Sequence, residues 1–359
     1  MNTNIFECAV SYDKLTAKLS KYLDNNNFTN NVNIIIDLNE IFRKVFKRLD
    51  LQLVDPNELV ESVVPDIMNL IGHYRYYFSN NLKYSTYYIL YSEKECKQFI
   101  NLDANYKSHI YDKYHDGEIG NYCKVFLNYL KPLFSNTPHC NYFDTSTYDE
   151  KIFASCILKN NEKDLNIILS NDYTFATLLS DNCIMFDCKG YDTNLITKNT
   201  LISIITEGKY RFSNNMVPLM LSLSGYDKYS INGITGYKYV KACKLIDKLI
   251  KSEKITDYRY YYIDFKSFDL SVITNNLTII SKNFNIFEPT MIRLEAENKL
   301  LDICKNTYTV SYRNQFEDIN NEYFSLNPIN IDKLFVSEVW KLCYNIVILK
   351  GEQDGIRWN

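Results

Sequence analysis

Hydrophobic and polar positions divide the chain into a first stretch of short apolar runs separated by helical periodicities and a second stretch that is almost wholly helical. After a polar, Asn-rich segment from Asp24, the nearly continuous apolar run Val32-Asn33-Ile34-Ile35-Ile36 predicts a fully buried strand ending at Asp37. Residues from Glu58 to Phe78 are apolar at helical spacing, with Pro65 expected to kink or divide the helix. A second strand is predicted at Thr86 to Tyr91, a third at Asp164 to Leu169 and a fourth at Cys183 to Phe186, with an amphipathic helix from Tyr148 to Lys159 between the second and the third. Lys94 to Leu130 lacks strand character and predicts a helical excursion standing away from the sheet. Strands alternating with helices predict a parallel sheet covered on both faces.

From Thr200 the periodicity becomes helical through Met216 to Leu223, is broken by the turn Gly225-Tyr226-Asp227, and resumes from Tyr237 to Lys251. Beyond residue 255, Tyr258 to Phe265 and Asn276 to Phe284 alternate like strands, whereas Met291 to Cys304 and Asp332 to Val347 read as helices. The expected organisation is an N-terminal segment (1–30), an α/β domain (31–195) with the excursion at about 94–130, a helical module with a glycine turn (196–254), and a mixed α/β accessory region (255–359).

Composition narrows the class. Tyr (31), Asn, Ile and Lys are abundant while Gly (10) and Pro (7) are scarce, a bias expected from an A/T-rich genome such as that of a virus or phage, so most tyrosines read as background. Ten cysteines include no Cys-x-x-Cys, and the pair Cys183 and Cys188 has no nearby histidine, which points to free thiols in a reducing compartment rather than a zinc site or disulfide framework. No apolar run approaches the roughly 18 residues of a membrane span, so an intracellular, cytoplasmic protein with no membrane partner is expected. A net charge of −3 supplies no global attraction to nucleic acid, and contact with DNA would need a local basic patch.

Two features carry chemistry. Asp37, Asp149, Glu150, Asp172 and Asp227 stand at strand ends or just beyond, where carboxylates can converge on hard divalent cations for phosphodiester hydrolysis; singly, each reads as a loop carboxylate or helix cap. The second is Gly233-Ile234-Thr235-Gly236-Tyr237-Lys238, which opens a helix: free N–H groups, the helix dipole and Lys238, Lys241 and Lys244 could act together on a phosphate. Lys107, Lys113 and Lys228 add to the basic set, and Tyr106, Tyr111 and Tyr114 could stack on an unpaired strand. The four histidines show no metal spacing.

In order, these segments resemble the 5′-nuclease superfamily, the flap endonucleases and 5′-to-3′ exonucleases, over about residues 31 to 255. Ile34-Ile35-Ile36-Asp37-Leu38-Asn39 is similar to the family's first strand and first metal-binding aspartate. Phe99 with Tyr106-Lys107-Ser108-His109 resembles the segment entering the helical arch. Thr147-Tyr148-Asp149-Glu150 falls where bacterial and phage members have Glu-Ala-Asp-Asp, Ser170-Asn171-Asp172-Tyr173-Thr174 where they have Asp-x-Asp, and Gly225-Tyr226-Asp227 with Ser230 to Lys238 resembles their Gly-x-Asp turn and glycine-opened helix. The chain departs from the pattern at Ser92, Thr147 and Thr174, where carboxylates are expected, with Glu93 a possible substitute beside Ser92. At Ile100 a basic residue is expected.

The resemblance implies a PIN-like fold with an arch insertion and a helix-hairpin-helix type module. It also implies binding of branched, single-stranded or 5′-ended DNA. Mg²⁺ or Mn²⁺, at most one ion held strongly, would be bound by Asp37, Asp149, Glu150, Asp172 and Asp227, and Asp37, Asp149, Asp172 and Lys107 would carry the catalysis. Lys107, Lys113, Gly233, Gly236, Lys238 and Lys241 would hold DNA, and residues 255–359 could dock a protein partner. The three lost carboxylates equally suit a pseudonuclease that binds DNA or serves as a scaffold within a viral or phage assembly.

Overall fold

The computed structural model describes residues 31–46, 55–61, 63–64, 67, 84–112, 117–136, 139–187, 194–251 and 271–305 of the 359. Pro65, Lys113, Tyr114, the expected strand at Tyr258 to Phe265 and the expected helix at Asp332 to Val347 lie outside the described residues.

Six strands form one sheet in the order β3-β2-β1-β4-β5-β6, where β1 is Asn31–Asp37, β2 Tyr84–Tyr91, β3 Cys140–Asp144, β4 Leu165–Leu169, β5 Cys183–Asp187 and β6 Asn194–Ile196. All neighbours are parallel except β5 and β6. The strands are apolar on both sides because both faces of the sheet are covered. Ile34, Ile36, Ile167 and Leu169 point into one core with Leu38–Phe46 (α1) and Glu118–Asn136 (α2), and Ile35, Tyr88, Leu90 and Ile168 into the other with Glu150–Asn160 (α3) and Val217–Ser224 (α4). Asn33 breaks the apolar run at a paired position. Its amide donates to Asn166 Oδ1 (3.1 Å) across the β1–β4 ladder, a buried pair that penalises any slip in register.

Strands β1, β2, β4 and β5 and helix α3 lie where periodicity puts them; β3 and β6, at opposite ends of the sheet order, were not anticipated. The stretch at 94–130 was expected to stand away from the sheet, yet its last part, from Glu118, belongs to α2, whose Tyr122, Cys123, Phe126, Leu127 and Leu130 are buried in the α1-side core. Aromatic and aliphatic side chains at 3- and 4-residue spacing found the nearest apolar surface.

Asn276 to Phe284 is helical rather than extended, within Leu277–Phe287 (α6), and is followed by Thr290–Lys305 (α7). Ile280 and Phe284 fit a helical period as well as an alternating one, and packing against α4 decides between them. Ile280, Phe287, Ala296 and Leu300 join the same core as α3, α4 and Tyr239–Lys251 (α5). Among the described residues no helix is long and apolar enough to cross a membrane.

Candidate functional site

The chain order of the strands reverses between β1 and β4, so the loops leaving their C-terminal ends part and open a crevice. Asp37 ends β1 and starts α1, accepting the Asn39 backbone N–H (3.1 Å), while Ser170 beyond β4 donates its hydroxyl to Asp37 Oδ2 (2.9 Å). Glu40, one turn into α1, accepts the Asn171 amide (2.9 Å). Asp172 caps the 3₁₀ turn Tyr173–Leu178, accepting the N–H (2.9 Å) and hydroxyl (2.8 Å) of Thr174. Asp149 caps α3 through the Lys151 N–H (3.2 Å), and Glu150 occupies its first turn. All five of these acids therefore sit at helix starts, where backbone N–H groups and the dipole favour negative charge.

Capping is not their whole role, because Asp37, Glu40, Asp149, Glu150 and Asp172 are all buried and gather in one cluster with two lysines. Lys107 Nζ meets Asp149 Oδ2 (2.5 Å) and Glu150 Oε2 (2.8 Å). Lys228 donates to Glu40 Oε1 from the turn Asp227–Tyr229. Tyrosine hydroxyls complete the lining: Tyr106 donates to Asp149 Oδ2 (2.6 Å) and Tyr229 to Asp172 Oδ2 (2.6 Å). Lys107 and Asp149 both hold positive φ (51° and 76°), and the Lys107 N–H donates to Tyr229 O (2.8 Å), which ties the two lysine-bearing loops together.

Charge state follows from these contacts. Burial pushes Asp37 up to about 7 against the pull of Lys228, with Glu40, Glu150 and Asp172 adding to the rise. Burial likewise raises Asp149 to about 6, although Lys107 opposes it. At Glu150 burial is outweighed by Lys107, which holds the carboxyl down to about 2. Glu40 and Asp172 also stay below their usual range, burial being overcome at both by attraction to Lys228. Lys228 itself is held above its usual value, since Glu40, Asp172 and Asp37 outweigh its desolvation.

The structure thus brings together Asp37, Asp149, Glu150, Asp172 and Lys107 of the expected residues, and leaves Asp227 exposed on the outer side of its turn. Glu40 was missed because one acid in the first turn of a helix reads as a dipole partner. Tyr226 and Tyr229 were missed in a chain rich in tyrosine. Lys228, taken for a DNA contact, turns inward to Glu40. Tyr106 is buried and stacked on Phe99 with 4.8 Å between ring centroids, so it is not available to a DNA base.

Where carboxylates were expected, Ser92 Oγ pairs with Thr145 Oγ1 (2.8 Å), Thr147 is exposed, and Thr174 serves Asp172. Glu93 is engaged by the Tyr142 hydroxyl (2.9 Å) and Lys131. The pocket oxygens suit a hard divalent cation in kind. Their arrangement does not suit one: among the described residues no three His, Cys, Asp or Glu side chains are placed to share an ion, and ammonium groups stand against three of the five acids.

The expected phosphate-holding turn is a short hairpin between α4 and α5, with β7 (Gly225–Tyr226) antiparallel to β8 (Ile231–Asn232). Gly225 and Gly233 lie back to back: a Cβ on Gly233 would come within 2.1 Å of Gly225 N, and one on Gly225 within 2.4 Å of Gly233 N. Gly233 is therefore required by backbone packing. Gly236, by contrast, is exposed at φ 77° and would meet only the far end of the Lys241 side chain, and Lys238, Lys241 and Lys244 are exposed beside it.

No protein-family model and no curated protein sequence matches the chain. Solved structures do. A protein of bacteriophage T5 co-crystallised with metal ions is similar at 16% identity and a TM-score of 0.52, over 81% of this chain and 98% of that one. The T5 flap endonuclease, as a pseudo-enzyme–product complex with DNA and metal ions, is similar at 15% identity and a TM-score of 0.50, over 88% and 99%. The chain has the α/β, PIN-like fold of the bacteriophage T5 5′-nuclease structures, with a mostly parallel six-stranded sheet.

Proposed function

We propose that the protein binds branched or 5′-ended DNA, with a strand laid over the strand-end pocket and the adjoining duplex held at the start of α5. One observation carries this reading: residues far apart in the chain, Asp37, Lys107, Asp149, Glu150 and Asp172, meet at the fold's crevice, on the same hairpin-linked body as the exposed Gly236 and its lysines. Gly236, Lys238 and Lys241 contact phosphates through backbone N–H groups and ammonium charge, so affinity is independent of sequence and steeply dependent on salt. The T5 complex with DNA and metal ions, which shares this fold, accords with the reading.

Two chemistries are open to a strand so placed. In the first, the pocket acids support phosphodiester hydrolysis with Mg²⁺ or Mn²⁺ and Lys107 orients the phosphate. In the second, the protein holds DNA without cutting it, as a subunit of a viral or phage assembly. The pairing of Lys107 and Lys228 with three of the pocket acids favours the second. A 5′-flap substrate with Mg²⁺ or Mn²⁺ separates them. Binding without cleavage, unchanged in Asp37→Ala and weakened about tenfold or more by Lys238→Glu with Lys241→Glu, is the expected result. Cleavage abolished by Asp37→Ala would establish the first chemistry. No DNA binding at low salt, or binding indifferent to the lysine changes, would overturn the proposal.

A further inference from the structure

Two tyrosines join the acid cluster to the start of α5. Tyr173 directly follows Asp172 and opens the 3₁₀ turn, while Tyr239 is the first residue of α5, next to Lys238. Their rings meet edge-on, with 6.3 Å between centroids and 69° between planes. Both are half-buried, so each keeps part of its surface in solvent, on the same stretch of chain or fold as the exposed Gly236, Lys238 and Lys241.

The pair is held from behind. Tyr173 donates its backbone N–H to the Tyr226 hydroxyl (3.0 Å) and stacks on the Tyr226 ring (6.1 Å, 27°). Tyr226 packs on Tyr229 (5.2 Å) and meets Phe287 edge-on (6.2 Å), and all three of these inner rings are buried. The aromatic column thus runs outward from the core and ends at Tyr173 and Tyr239. A tyrosine ring fixed in this way offers a large flat surface and loses little freedom when a planar group is laid on it.

Charge decides which part of a strand suits the end of the column. Lys238 and Lys241 draw phosphates to the start of α5, but Asp172 and Asp227 are the chain neighbours of Tyr173 and Tyr226, and a phosphate set among them would be repelled. An uncharged base meets no such penalty and gains contact with the ring. Tyr106, the ring expected from the sequence to stack, is sealed inside and does not compete for this role.

We propose that Tyr173 and Tyr239 form a stacking step for an unpaired nucleobase, at the point where a duplex held on α5 passes into the strand laid over the acid cluster. The substrate is thereby narrowed to DNA with a junction between single strand and duplex, in preference to plain duplex. The inference rests on the proposed reading of the crevice and α5, and the test includes plain duplex so that the two can fail separately.

The parent, Tyr239→Leu, Tyr173→Leu and Tyr239→Phe are compared, in chelator, for binding to a junction DNA with an unpaired 5′ strand and to a plain duplex of the same length. Each leucine variant should bind the junction about fivefold or more weakly and the duplex as the parent does, whereas Tyr239→Phe, which keeps the ring, should bind both like the parent. Iododeoxyuridine placed in turn at each nucleotide around the junction and irradiated on the parent, with the products mapped by mass spectrometry, should cross-link to Tyr173 or Tyr239 from the first unpaired positions and not from paired ones. That measurement holds even where a leucine variant does not fold. Junction affinity unchanged in both leucine variants, equal losses on junction and duplex, or cross-links that avoid both tyrosines overturn the stacking step alone. A parent that binds neither DNA overturns the reading of the crevice and α5 on which it rests.

Discussion

Asp37 shows how far burial can move a single carboxylate. Its ordinary value of 3.8 rises to about 7, and that of Asp149 to about 6, both chiefly because water is excluded. For an acid so raised, the folded state keeps a proton that the unfolded chain has released. The contribution of each to stability is thus complete below about pH 4 and lost as pH climbs through its raised value. Glu150 runs the other way: held at about 2 against an ordinary 4.5, it contributes stability above 4.5 that is lost as pH falls toward 2. In chelator, the melting temperature should therefore decline between about pH 4.5 and 7, and Asp37→Asn should make that decline shallower. A parent whose melting temperature is level or rises across this range would contradict the placement of Asp37.

At the scale of elements, the α4–α5 hairpin separates two glycines that look alike in the sequence. Gly233 touches the backbone of Gly225, so Gly233→Ala forces the two short strands apart and should cost about 3 kcal/mol or more. Gly236 meets nothing but the far end of Lys241 and pays only for its left-handed backbone, so Gly236→Ala should cost about 1–2 kcal/mol. Urea denaturation of the two variants checks the contrast, and equal losses would remove the distinction between packing glycine and exposed turn glycine. If the turn also grips phosphate, Gly236→Ala should weaken DNA binding beyond its effect on stability. Spacing alone could not assign these parts, because close backbone approach and positive φ both select glycine.

For the molecule as a whole, the C-terminal helices act as a buttress to the pocket. Phe287 of α6 stacks on Tyr229 (6.1 Å between centroids) and meets Tyr226 edge-on (6.2 Å), and its carbonyl accepts from Lys151 Nζ (2.8 Å), next to Asp149 and Glu150 in α3. Truncation to Phe287→Ala should cost about 3–5 kcal/mol, as for other fully buried aromatics, and loosen the tyrosines that hold Asp172. A loss below about 1 kcal/mol in denaturant unfolding would mean that these helices do not share the core.

By itself the sequence determined the central strands, the helix behind Asp149, the crevice acids Asp37, Asp149, Glu150 and Asp172, and Lys107. Buried parallel strands leave unbroken apolar runs, and an acid just past such a run has few places to go. Only the tertiary structure decided that α2 lies on the sheet, that 277–287 is helical, and that Glu40, Lys228, Tyr226 and Tyr229 line the pocket. The physical reason is the same in each case. A short amphipathic segment, a lone acid in a first helical turn and one tyrosine of 31 are locally ambiguous, and each acquires its role from a partner more than 50 residues away.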